Sequence, residues 1–71
     1  MSARITTTET EKYIATVRYY SKEEEYVLKI LDIDLAKFII EAAFTDLHDA
    51  LEASRTLMTG LALLEKQAQS N

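Results

Sequence analysis

The fold is decided by the stretch YIATVRYY at residues 13–20. Its aromatic and β-branched residues favour a pleated strand. Successive side chains of a strand point to opposite faces, so Val17 and Tyr19 share one face while Arg18 and Tyr20 share the other. Large side chains therefore occupy both faces, and such a strand needs a cover on each side.

Two further stretches alternate in the same way, separated by short polar breaks. They are EYVLKILDI at residues 25–33 and KFIIEAAF at residues 37–44. The break at residues 21–24 has the length of a hairpin loop. The faces predicted to be buried are Tyr13/Val17/Tyr19, Tyr26/Leu28/Ile30 and Phe38/Ile40/Phe44.

The opposite faces of these strands mix charged side chains with large aliphatic ones. A face meant only for water would not normally carry four large aliphatics, and a cluster of them is typical of an interaction site. Tyr20 points away from the expected core, and tyrosine is enriched at protein interfaces. The four aliphatic residues are Ile14, Val27, Leu31 and Ile39.

From residue 45 onward the apolar residues recur at spacings of three and four, which indicates an amphipathic helix over residues 46–68 with Thr45 as its N-cap. This helix would be about 35 Å long. Three strands at about 4.8 Å spacing are narrower, so the last turns of the helix are predicted to project and meet another chain. Gly60, the only glycine, costs about 1 kcal/mol relative to alanine. Either the helix tolerates it or another backbone approaches closely there.

These elements predict an α+β fold, with a three-stranded antiparallel sheet packed by one long C-terminal helix. The domain covers residues 12–71, and residues 1–11 form a flexible lead-in or a short edge strand. The alternative is an all-α three-helix bundle, because Ser21 and Glu24 fit a capping box ahead of a helical apolar stripe. Strands are favoured because the first stretch is rich in β-formers and the polar segment 32–34 interrupts that stripe.

Length and composition favour an assembly of several copies. A chain of 71 residues hides only about 60% of its unfolded surface. Chains this short often need disulfides, a metal or oligomerisation. Cysteine is absent and histidine occurs once, which excludes disulfides and disfavours a zinc site. With 48% apolar residues, the chain is predicted to form a homo-oligomer, most simply a dimer.

The charge pattern disfavours nucleic acid and membrane as partners. The net charge is −4, from 12 acidic and 8 basic residues, and the basic residues are scattered singly. Nucleic-acid readers usually show a basic patch or stripe. No apolar run approaches the roughly 18 residues that span a bilayer, and the N-terminus lacks a secretory pattern. The sequence therefore predicts a cytoplasmic protein, and its acidic charge fits a small basic protein as an outside partner.

Catalytic and metal-binding patterns are weak. His48 and Ser54 lie near each other in sequence but on different faces of the predicted helix, so they do not form a catalytic pair. His48 is read as a surface residue of the first turn. Asp32 and Asp34 with Glu41 offer oxygen ligands for a hard cation, but a polar turn is the simpler interpretation. No catalytic, cofactor-binding or metal-binding residue is predicted, and no cofactor.

The order of elements resembles the HicB-type antitoxin domain over residues 13–60. The residues that carry the resemblance are Tyr26-Val27 after the acidic loop, Asp32-Ile33 at the end of the second strand, and DLHDALE at residues 46–52. The family folds as a partial ribonuclease-H-like βββα unit without catalytic residues. Its frequent C-terminal DNA-binding module has no counterpart here. The resemblance implies an oligomeric protein-binding domain and does not support operator binding.

The sequence thus predicts a non-enzymatic protein–protein interaction module, antitoxin-like or inhibitor-like. It would act as a homo-oligomer by steric binding of a partner protein. Two other functions stay open: a structural homo-oligomer without an outside partner, and a small-ligand binder at a subunit interface. The predicted partner-binding residues are Ile14, Arg18, Tyr20, Val27, Lys29, Ile39 and Leu61.

Overall fold

Four strands and one helix form this protein in the computed structural model, which describes residues 2–69. The strands lie side by side in chain order, each antiparallel to the next. The helix follows the last strand after two residues and packs on one face of the sheet. The elements are β1 (Ser2–Glu9), β2 (Tyr13–Tyr20), β3 (Glu25–Asp32), β4 (Lys37–Phe44) and α1 (Leu47–Gln69).

The predicted three-stranded sheet is wrong, because the N-terminal segment supplies a fourth strand. β1 pairs with β2 from Ser2 opposite Tyr20 to Glu9 opposite Ile14, with a bulge after Arg4. Its threonines are β-branched and fit a pleated strand. An edge strand with solvent beside it needs few apolar residues, and a bulge blunts such an edge against further pairing. The all-α alternative is wrong as well, since α1 is the one helix in residues 2–69.

The core lies between α1 and the two central strands. The residues predicted to face inward on β2 and β3 do so, and both strands alternate as expected. Tyr13 and Tyr26 pack against the edge of this core, and the ring of Tyr26 lies 4.8 Å from that of Tyr19, centroid to centroid. The fully buried apolar residues of the core are Ala15, Val17, Leu28, Ile30 and Ala50, with Met58 nearly so.

The predicted inward face of β4 is wrong at Phe38. Leu31 pairs with Phe38 while Ile30 pairs with Ile40, so one extra residue, Ile39, sits in β4 at a bulge. A bulge shifts the alternation of the strand beyond it. Phe38 consequently shares the face of Leu31, on the side away from α1, and is 58% exposed. The other two residues predicted for this face pack against the core.

The first turn of α1 is capped by Asp46. The Asp46 side chain accepts a hydrogen bond from the His48 N–H at 2.7 Å, and the helix begins at Leu47. The sequence placed this cap at Thr45. The helix then crosses β4, β3 and β2, which sets its buried face over the middle of the sheet.

We expect Asp46→Ala to lower the free energy of unfolding by about 1 kcal/mol, because the His48 N–H loses its acceptor. Thr45→Ala is the control and should change it by less than about 0.5 kcal/mol. Urea denaturation followed by circular dichroism measures both. A larger loss for the threonine variant would place the cap one residue earlier.

Candidate protein-binding face

The sheet face opposite α1, here called the outer face, is not covered by any described element. On the central strands, the β2–β3 register sets Arg18 opposite Val27 and Thr16 opposite Lys29. The outer face continues onto β4, where Ala43 pairs with Val27. On β2 and β3, the outer-face residues are Ile14, Thr16, Arg18, Tyr20, Glu25, Val27, Lys29 and Leu31.

Four of the predicted partner-binding residues come together on this face. They line one hollow of about 220 Å³. Val27 is half-buried there and lies between basic and aromatic side chains. Apolar area surrounded by charge is the usual anatomy of a protein interface. The residues that line the hollow are Thr16, Arg18, Tyr20, Val27, Lys29 and Phe38.

Lys29 is held in place at one side of this hollow. Its Nζ lies 5.4 Å from the centroid of the Phe38 ring and 3.4 Å from Oε2 of Glu41. Exposed contacts of these two kinds each contribute at most about 1 kcal/mol. The main effect of the two contacts is to orient the Lys29 ammonium group. More than half of Phe38 stays exposed to solvent.

Two arginines lie opposite each other next to the hollow. Arg4 on β1 pairs with Arg18 on β2. Like charges directly opposite on neighbouring strands destabilise a sheet. Neither guanidinium has an ion-pair partner among residues 2–69. This pair leaves local positive charge on the outer face of a chain whose net charge is −4.

The other three predicted partner-binding residues lie elsewhere. Ile14 is on the outer face but near the far end of β2, opposite Leu31. Ile39 is at the β4 bulge and is 40% exposed. Leu61 is on α1 and packs against the core, so the sheet separates it from the hollow.

Three residues of this site are absent from the predicted partner-binding set: Thr16, Phe38 and Arg4. Alternation places Thr16 on the correct face of β2, but a threonine carries no signal for an interface. Phe38 is predicted to lie in the core, because the sequence KFIIEAAF has no feature that indicates a bulge. Arg4 lies in the segment predicted to be a flexible lead-in or a short edge strand, and it pairs with Arg18 because β1 is a strand. The β-branched run after Arg4 was the one available signal for that strand.

The weaker chemical candidates have structural roles. Asp32 accepts a hydrogen bond from the Leu35 N–H at 3.1 Å, which fits the polar-turn interpretation, and Asp34 lies 3.8 Å from Lys12 Nζ. Within residues 2–69, no three metal-ligating side chains gather at one point. His48 lies on the surface of the first turn, as predicted, with its side chain 81% exposed.

Comparison with family models, curated proteins and solved structures found no match to this chain. The resemblance to HicB-type antitoxins therefore stays a prediction made from the residues quoted above. Over the part of the chain that the structure describes, no helix combines the length and apolar content needed to cross a membrane.

Proposed function

We propose that this protein is a non-catalytic protein-binding module, antitoxin-like or inhibitor-like. Its outer face docks an acidic segment of a partner protein, and the bound segment is blocked sterically. The protein acts as a homo-oligomer. The observation that carries the proposal is the unneutralised Arg4–Arg18 pair beside the apolar hollow.

The arginine pair favours an anionic ligand. Two guanidinium groups on neighbouring strands repel each other, which costs the free protein a few tenths of a kcal/mol to about 1 kcal/mol. A carboxylate bound between them would remove that repulsion and accept charge-assisted hydrogen bonds from both. Unfavourable local arrangements, such as like charges on neighbouring strands, are typical of functional sites, where ligand binding compensates for the lost stability.

The hollow supplies the apolar part of the docking surface. Val27, Tyr20 and Phe38 line it. Aromatic residues and arginine are enriched among the residues that dominate binding energy at interfaces. An acidic segment with an apolar side chain fits both features, and the unpaired Arg4 and Arg18 favour it over the small basic partner that the net charge suggested.

The test is an NMR titration of the full chain with two defined probes, a glutamate–leucine peptide and an oligothymidine strand. Binding is monitored through the chemical shifts of the backbone amides. We expect the peptide to shift resonances of the outer face. Arg18→Glu should weaken peptide binding at least about tenfold, the equivalent of one charged hydrogen bond. Arg55→Glu, which makes the same charge change at an exposed position on α1, is the matched control and should have little effect.

Each other result contradicts the proposal in its own way. Equal weakening by the two charge-reversal variants would mean that only net charge matters. Binding of the oligonucleotide in preference to the peptide would make the outer face a nucleic-acid surface. Binding of neither probe would favour a structural homo-oligomer without an outside partner.

A further inference from the structure

The sheet face that carries α1 is left uncovered at β1. Within residues 2–69, α1 packs on β2, β3 and β4 but not on β1. Thr6 and Thr8 of β1 pair with the core residues Val17 and Ala15, so their side chains lie on the same face as α1. The groove between β1 and α1 has a volume of about 440 Å³, which is within the usual range for small-ligand sites.

An apolar strip runs along the helix side of this groove. Leu51, Met58 and Ala62 line it, and their spacings of seven and four place them on one side of α1. Met58 belongs to the core, whereas Leu51 is 37% exposed. The strip therefore offers apolar contact to a ligand that lies along the helix.

Arg55 brings a positive charge to the groove. It is one of the lining residues, and its guanidinium has no ion-pair partner within residues 2–69. Glu52, three positions earlier on α1, contacts His48 instead, with Oε2 3.6 Å from Nδ1. Among the described residues that line the groove, none is acidic. The charge of the groove therefore favours an anion.

Ser54 adds a buried hydroxyl to the wall. It is 5% exposed and lines the groove, and its side chain makes no hydrogen bond within residues 2–69. Every fully enclosed side-chain oxygen or nitrogen atom in the described part of the chain has a hydrogen-bond partner. The Ser54 hydroxyl is therefore not enclosed, and it opens into the groove. A buried hydroxyl without a protein partner is available to a ligand.

We propose that this groove binds a small monocarboxylate with a linear apolar chain, of the size of octanoate. The planar guanidinium of Arg55 donates charge-assisted hydrogen bonds to the carboxylate, and the Ser54 hydroxyl donates another. The apolar chain lies over Met58 toward Ala62. From residue 55 to residue 62 the helix rises about 10 Å, which matches an extended chain of about eight carbons.

An NMR titration of the full chain with octanoate at neutral pH tests the proposal. We expect saturable amide shifts at Thr6, Thr8 and residues 54–62. Octylamine has the same chain with a cationic head group, and it should not shift these amides. Shifts confined to the outer face, or equal binding of octylamine, would overturn the proposal. So would the absence of saturable binding. Groove shifts that depend on protein concentration without ligand would assign the groove to a second copy.

Three variants identify the groups that bind the head group. Arg55→Glu should raise the octanoate dissociation constant at least about tenfold, and Ser54→Ala should raise it about two- to tenfold. Arg18→Glu makes the same charge change on the outer face and should alter the constant less than about twofold. An Arg55→Glu variant that binds octanoate like the natural chain contradicts the proposal, as does equal weakening by Arg18→Glu.

Arg55→Gln covers the case in which the glutamate variant loses its circular dichroism spectrum. It removes the positive charge without adding a negative one, and it should still weaken octanoate binding at least about threefold. The inference is independent of the proposed function, because the groove and the outer face lie on opposite faces of the sheet. Arg18→Glu should weaken the peptide alone and Arg55→Glu should weaken octanoate alone, so a failure at either site is recognised separately.

Discussion

We expect Leu28→Ala to lower the free energy of unfolding by about 2–5 kcal/mol, the range for truncating a buried leucine. Leu28 is fully buried in the middle of β3, opposite Val17 on β2 and Ala42 on β4. The truncation removes apolar contact and leaves a cavity under α1. The strands on both sides are hydrogen-bonded into the sheet, so they cannot easily close that cavity.

This loss is large for so small a protein. At about 0.05–0.15 kcal/mol per residue, a chain of 71 residues has only about 4–11 kcal/mol of stability in total. The variant should therefore unfold at a clearly lower temperature than the natural chain. Thermal and urea denaturation followed by circular dichroism give the free energy of unfolding.

The neighbouring residue supplies the control. Val27 is on the same strand but on the outer face, and it is half-buried. We expect Val27→Ala to cost less than about 1 kcal/mol. Equal losses for the two variants would mean that the outer face is covered as well as the inner one, which would contradict an exposed docking surface.

Periodicity explains why much of this fold was predictable. The alternation of Tyr26, Leu28 and Ile30 identified both β3 and its buried face. The change to spacings of three and four after residue 45 gave α1 to within one residue at each end. These signals are strong because a half-covered strand and a half-covered helix each require a fixed repeat of apolar residues.

Two parts of the fold lack such a signal. β1 faces solvent along one edge, so Thr6 and Thr8 can stand where a central strand would carry valine. The β4 bulge at Ile39 depends on pairing with β3, and the β4 sequence alone continues to alternate. The same two features decide the candidate site, since they place Arg4 and Phe38 on the outer face. Alternation alone predicted only the part of the site on β2 and β3.

The second large effect is expected at the contact between α1 and the sheet. We expect Ala50→Glu to lower the free energy of unfolding by at least about 3 kcal/mol, since an unpaired charge would enter the core. Ala50 is fully buried one turn into α1, where the Ala50 N–H donates to the Asp46 carbonyl at 3.2 Å. Because Ala50 packs within the core cluster, the new side chain cannot reach water unless α1 moves away from the sheet.

Ala62→Glu introduces the same side chain at an exposed position of α1 and should change the free energy of unfolding by less than about 0.5 kcal/mol. The comparison separates burial of charge from any change in helix propensity, because both substitutions are alanine to glutamate within one helix.

Ala50→Leu should fall between the two, at about 1–3 kcal/mol, because it crowds the contact without adding charge. If all three variants unfold at the same urea concentration, α1 does not pack on the sheet through Ala50.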